Sequence, residues 1–135
     1  FDFLLLDPAA GMGAPFTAAA AVADTALLVL TPDPVALRDG KIVADRLLHD
    51  RRPQNTVRLV MNRVTRESFG KGAAVADLDE CIDTVGAQLL AVIPESAALQ
   101  QCGARGAVPP PQDPAVAAGQ AMARRLCGQR VPLTF

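Results

Sequence analysis

The chain has 135 residues, the size of one domain; 50% of them are hydrophobic and 20% charged, a composition that supports a buried core and argues against disorder. Its net charge is −1 and it has no run of lysine or arginine, so we expect no nucleic-acid surface. No apolar stretch approaches the roughly 20 residues of a membrane span. The 3 cysteines and 1 histidine form no metal-ligand or disulfide pattern, which favours a reducing, cytoplasmic setting.

Four short apolar runs predict strands, at residues 3–6, 26–30, 57–61 and 89–93. Each run is continuous rather than alternating, which is typical of strands buried on both faces of a parallel sheet. The chain also opens with Phe1 almost directly inside the first run. We therefore expect it to be the later part of a larger protein.

Helical patterns separate the predicted strands. Leu37 and Ala44 share one face of a predicted helix over residues 34–50. A last helix is predicted to begin at Asp113 as the N-cap, with Pro114 at its first position. Alternating strands and helices predict an α/β fold, a doubly wound and mostly parallel sheet with flanking helices, with residues 1–135 as a single domain.

Ligands of open parallel sheets bind beyond the carboxyl ends of the strands, so the residues after each run are the candidate site. Asp7 closes the first run, Asn62 and Arg63 follow the third, and Pro94 and Glu95 follow the fourth. An aspartate that closes an apolar strand is the Walker B arrangement, in which the carboxylate holds the water shell of a Mg²⁺ ion. Taken alone, an aspartate in this place is more often a turn former or a helix cap.

The strand-end segments together are more specific. The informative segments are FDFLLLDPAAGMG (1–13), LLVLTPDPVALRDG (27–40), LVMNR (59–63), LLAVIPES (89–96) and RRLCGQRVPL (124–133). In order and spacing they resemble the C-terminal half of the MinD/ParA family of deviant-Walker P-loop ATPases, and the Ala-Gly pair at 10–11 is more similar to the MinD-like branch.

The resemblance implies roles for particular residues in binding ATP or ADP with Mg²⁺. Asp7 matches the Walker B aspartate, which holds Mg²⁺ through water, and Gly11 matches the residue near the γ-phosphate. The base side of the implied site has four members: Asn62 for the adenine edge, Arg63 flanking the base, and Pro94 and Glu95 in the loop over base and ribose.

The resemblance also implies a place in the cell. The parent protein is expected to be an ATPase that selects division sites or positions cargo, cytoplasmic or peripheral at the inner face of the membrane, although this chain encodes no membrane-targeting helix. Arg38 and Asp39 match the border of a dimer and partner surface, which suggests a division-regulator protein as partner. No GxxxxGKS or GxxxxGKT phosphate loop occurs in the 135 residues. We therefore expect weak nucleotide binding and no hydrolysis by this chain alone, and self-association or pairing with the missing N-terminal half.

Other interpretations of the same residues stay open. The chain could be a non-enzymatic interaction module derived from the same fold, while a receiver-type domain is less favoured because only one acidic residue follows the first run. Asn62 could simply end a strand, Arg63 could be a solvated arginine, and Glu95 could cap the next helix. The acidic residues between 77 and 83 favour a solvated helix face, and His49 favours exposure to solvent.

Overall fold

The computed structural model describes residues 1–50 and 56–133, and in that part of the chain three strands alternate with helices. The strands form one parallel sheet in the order β1-β2-β3, so β2 is central. The elements are α1 (Ala14–Val22), β1 (Thr25–Leu30), α2 (Pro34–Asp50), β2 (Thr56–Val64), α3 (Leu78–Val85), β3 (Gln88–Pro94), α4 (Ala97–Arg105) and α5 (Pro114–Leu126).

The first predicted strand, residues 3–6, is wrong in this structure. The segment lies in no strand, with Phe3 72% and Leu5 89% exposed. Its backbone finds no neighbouring strand, and without ladder hydrogen bonds an extended segment stays solvated. The strands do not re-pair to close the gap either, since β1 pairs with β2 alone and its outer edge is open in the described part of the chain.

The core lies on both faces of the sheet and is organised by β2. Leu59 and Met61 are fully buried on one face, in a cluster that includes Ala44 of α2 and residues of α3. Val60 points to the opposite face, where it clusters with β3 residues and Met122 of α5. This alternation is the consequence of the two-residue period of a strand. Helices on both faces confirm the predicted doubly wound α/β class.

Two helix starts near the end of the sheet are tied together. Asp113 caps α5 as predicted, since its side chain accepts a hydrogen bond from the Ala115 amide at 2.8 Å. Ser96 caps α4 by accepting from the Leu99 amide, and its hydroxyl donates to Asp113 Oδ2 at 2.7 Å. That hydroxyl is the main reason that the pKa of Asp113 is lowered from its ordinary value.

Gly40 lies where α2 packs tightly against Leu30 of the sheet. A Cβ atom at this position would lie 2.2 Å from Leu30 Cδ1 and 3.1 Å from Cδ2, far inside van der Waals contact. Gly119 in α5 is the opposite case, with no atom within 4 Å of a Cβ placed there.

We predict that Gly40→Ala destabilises the fold and that Gly119→Ala, its matched control, does not. Forcing a methyl group against Leu30 costs about 1–3 kcal/mol, and the helix preference of alanine offsets about 0.5–1 kcal/mol of that cost, so the free energy of unfolding should fall by about 0.5–2 kcal/mol. Gly119→Ala should raise it by about 0.5–1 kcal/mol, because alanine loses less backbone entropy in a helix. Urea denaturation of both variants measures the two effects. A Gly40→Ala variant as stable as the unchanged chain would contradict the close packing of α2 on β1.

We also predict that the chain self-associates through its exposed N-terminal segment. Leu4 is 76% and Leu5 89% exposed, and burying one such side chain contributes about 1.5–3 kcal/mol. The double substitution Leu4→Lys and Leu5→Lys should therefore shift the chain towards the monomer in sedimentation velocity. Val108→Lys, at an isolated residue that is 90% exposed, is the control and should leave association unchanged. A monomeric unchanged chain would refute the prediction.

Candidate functional site

The candidate site lies where the three parallel strands end. Because the strands run in the same direction, their carboxyl ends meet at one edge of the sheet. Three turns leave this edge, after β1, β2 and β3 respectively. Asn62 and Arg63 lie near the end of β2, Pro94 ends the neighbouring strand β3, and Glu95 follows it directly. We call these four residues the base-side cluster.

An irregularity in strand pairing shapes the cluster. Met61 pairs with Val92, and the next pair is Val64 with Pro94. Two residues of β2, Asn62 and Arg63, therefore lie opposite a single residue of β3, so β2 carries one extra residue at this point. Such bulges are uncommon in parallel pairs, and they re-aim side chains next to functional sites. Arg63 has a φ of 56°, the left-handed region that non-glycine residues occupy at a cost of about 1–3 kcal/mol.

Asn62 presents an unused amide at this edge. The residue is half-buried, and within the described residues its side chain has no hydrogen-bond partner. Its polar atoms are not sealed from solvent, since the described part of the chain holds no fully buried side-chain nitrogen or oxygen without a partner. An amide offers one acceptor and two donor hydrogens, which suits the edge of a heterocyclic base.

Arg63 is held by Glu95 across the two strand ends. Its Nη2 and Nε donate to Glu95 Oε1 at 3.0 and 3.3 Å, and Gln100 Nε2 of α4 donates to the same oxygen at 3.0 Å. The Glu95 backbone amide also donates to the Val64 carbonyl at 3.0 Å. Arg63 is therefore exposed but ion-paired, and Glu95 does not cap α4, because Ser96 does so.

The same contacts shift the titration of Glu95. The Arg63 hydrogen bond, followed by that from Gln100, lowers the pKa of this carboxyl below its ordinary value. A lowered carboxyl pKa means that the ion pair is intact at neutral pH. The contribution of this ion pair to stability is lost only as the pH falls through the lowered pKa of Glu95.

The structure does not join the phosphate-side residues to the base-side cluster. Asp7 and Gly11 lie in the exposed N-terminal segment, and Asp7 has no hydrogen bond or ion pair with another described residue. Gly11 has a φ of +98°, and a Cβ placed there would meet no atom within 4 Å. Within residues 1–50 and 56–133, no group of three or more histidine, cysteine or acidic side chains could hold a metal ion.

The acidic residues of α3 serve the helix itself. Asp77 caps α3 by accepting from the Glu80 amide at 2.9 Å, while Glu80 accepts from the Ala76 amide at 2.6 Å. The two contacts satisfy one backbone donor in the first turn of the helix and one just before the N-cap. Asp79 and Asp83 are exposed, as is His49, which confirms the predicted solvated faces.

Two structural residues at the sheet ends escaped the sequence analysis. Asp33 caps α2: it accepts from the Thr31 hydroxyl at 2.6 Å and from the Ala36 amide at 2.9 Å, and the hydroxyl is the main cause of its lowered pKa. The aspartate that precedes Pro34 at the helix start was the available signal.

The second is Arg125, in the last turn of α5. Its guanidinium donates to the Leu90 carbonyl at 3.0 Å and to the Val131 carbonyl at 2.8 Å, and a third bond reaches Pro132. Leu90 lies at another register shift of the β2–β3 pair, where the extra residue leaves a carbonyl free to accept. No local sequence pattern predicts such a long-range contact.

The remaining surface features contain none of the four residues of the base-side cluster. Two cavities, of about 120 and 370 Å³, open at the amino-end edge of the sheet, beside Thr56. Arg38 and Asp39 are exposed on α2, with Arg38 Nε 3.8 Å from Asp39 Oδ1.

Among the described helices, none combines the length and the apolar character that crossing a bilayer requires.

Curated proteins of similar sequence share one description. The septum site-determining protein MinD of Bacillus subtilis is 30% identical over 138 residues, which covers 98% of this chain and 50% of that protein. The chloroplastic MinD homologue of Arabidopsis thaliana is 35% identical over 105 residues, which covers 78% of this chain and 31% of that protein. The chain thus spans half or less of the length of these relatives. No protein-family model matches it.

Solved structures agree with the sequence relatives. A MinD cell division protein from Aquifex aeolicus superposes with a TM-score of 0.81 at 29% identity, covering 93% of this chain and 52% of that one. MinD in a MinC:MinD complex of the same organism gives 0.76 at 30%, covering 89% and 49%. A Pyrococcus horikoshii MinD complexed with Mg-ADP shares the fold, with a TM-score of 0.70 at 22% identity, covering 89% and 48%. In sequence and in fold, the chain belongs to the MinD-like branch of the MinD/ParA family and matches its C-terminal part.

Proposed function

We propose that the chain supplies the base side of an adenine-nucleotide site in a MinD-like division-site ATPase. The observation that carries the proposal is the unused Asn62 amide, set in a bulge at the carboxyl end of the central strand. Arg63 and Glu95 flank it as an ion pair, and Pro94 ends the neighbouring strand. Donor and acceptor groups of this kind fit a purine edge.

The phosphate side of the proposed site needs more of the parent protein than this chain. Asp7 would hold Mg²⁺ through water, and the metal would neutralise charge on the phosphates of ATP or ADP. Gly11 would let its backbone approach the terminal phosphate. The Mg-ADP bound to the Pyrococcus horikoshii MinD is support at the level of the fold. Residues 1–135 then act as a single α/β unit that completes its site with the other half.

The proposal extends to partners and place. The MinC:MinD complex of Aquifex aeolicus supports a division-regulator protein as partner, and Arg38 and Asp39 are an exposed pair on α2 that such a partner would contact. We place the parent protein in the cytoplasm, peripheral to the membrane when assembled. Charge reversal at both residues should weaken capture by the regulator without changing nucleotide binding.

We predict weak binding of ADP that is localised to the base-side cluster. In a titration of the ¹⁵N-labelled chain with Mg-ADP, amide signals near Asn62 should shift. Asn62→Asp should weaken binding about fivefold or more, since the carboxylate keeps the acceptor and loses the donor hydrogens, worth about 1 kcal/mol. Gln88→Glu, an equal change of charge at the amino end of β3, is the control. We expect no ATP hydrolysis by this chain.

Two results would contradict the proposed function. One is a titration in which ADP shifts no signal of the base-side cluster. The other is robust Mg-dependent turnover by the purified 135-residue chain, because that requires phosphate contacts which the proposal assigns to the other half of the protein.

A further inference from the structure

Arg63 carries a positive charge beside the proposed nucleotide site, and its role is not obvious from the charge alone. It could contact the phosphates, or it could act on the base side. The structure bears on this choice through three features: the left-handed backbone at Arg63, the strand bulge that contains it, and the contacts of its guanidinium.

The guanidinium is already engaged. Two of its nitrogens donate to Glu95 Oε1, and the paired carboxylate offsets its charge. Charge-assisted contacts of this kind are directional and about twice as strong as neutral hydrogen bonds. A phosphate would have to compete with Glu95 for the same donors.

Glu95 is fixed from two further directions. Gln100 on the first turns of α4 donates to the same carboxylate oxygen at 3.0 Å, and the Glu95 amide donates to the carbonyl of Val64 at 3.0 Å. The carboxylate therefore connects three pieces of backbone: the bulged end of β2, the end of β3 and the start of α4. Asn62 is the residue next to the one that this network holds.

We infer that Arg63, Glu95 and Gln100 form a clamp that stabilises the strained bulge of β2 and so positions Asn62 for a purine base. Arg63 and Glu95 are positioning residues in this role and not phosphate ligands. The inference rests on the proposed function, since it concerns how the same site recognises its base.

The clamp has a distinctive consequence for ligand binding. A device that acts on the base side changes the affinity for adenosine and for ADP by the same factor, because both carry the same base. A phosphate ligand changes the affinity for ADP and leaves that for adenosine unaltered. A residue with a purely structural role changes the thermal stability of the chain along with its binding.

The experiment titrates the full chain with adenosine and, separately, with Mg-ADP, following amide shifts at residues 62–64. Glu95→Ala, Arg63→Ala and the double variant complete a double-mutant cycle. Each single variant should lower the affinity for both ligands about two- to fivefold, the range expected for an exposed ion pair. The double variant should lose no more affinity than either single variant. Melting temperatures should fall no further than those of the control variants, because an exposed ion pair contributes little to the global free energy of unfolding.

Lys41→Ala and Asp45→Ala are the matched controls. They break an exposed ion pair of 2.6 Å on α2, away from the site, and should alter neither affinity. Loss of ADP binding alone, with adenosine unaffected, would overturn the clamp and make Arg63 a phosphate ligand. Unchanged binding of both ligands by Glu95→Ala would also overturn it and leave the proposed function standing. If neither ligand shifts residues 62–64 in the unchanged chain, the proposed function fails and the clamp fails with it.

Discussion

The structure depends on the parallel pairing of β2 with a strand on each side. The central strand is buried on both faces, and Leu59 and Met61 expose nothing to solvent. Parallel strands require crossovers of a dozen or more residues, and the two crossovers here contain α2 and α3, which cover one face, while α5, after β3, covers the other. Because the strands are parallel, all of their carboxyl ends lie at one edge of the sheet. Fold, core and candidate site are therefore consequences of a single pairing arrangement.

Local strain and local contacts balance at the end of the central strand. The left-handed backbone of Arg63 is unfavourable, and the extra residue in β2 interrupts the ladder of hydrogen bonds. The ion pair with Glu95 and the backbone bond from Glu95 to Val64 offset part of that cost. The bulge takes Asn62 out of the paired ladder. Its side-chain amide has no partner among the described residues.

The two sides of the sheet differ, because β1 lacks a strand partner on its outer edge while β2 and β3 carry the base-side cluster. The base-side cluster is assembled by β2 and β3 alone. In contrast, the outer edge of β1 has no partner among the described residues, and the apolar residues 3–6 lie exposed beside Asp7. An unpaired strand edge and exposed apolar side chains are the features by which a sheet recruits further backbone. Asp7 and Gly11, the phosphate-side residues of the proposed site, lie in the exposed N-terminal segment as well.

The sequence by itself determined the fold class, three of the four predicted strands, the N-cap of α5 and the resemblance to the MinD/ParA family. These follow from local rules, namely apolar runs, helical spacing and capping residues, which need no distant partner. The tertiary structure alone decided that residues 3–6 form no strand, that Glu95 pairs with Arg63 and that Arg125 reaches the Leu90 carbonyl. Each of these depends on residues far apart in sequence, and pairing across such a distance is set by the packed sheet rather than by the local pattern.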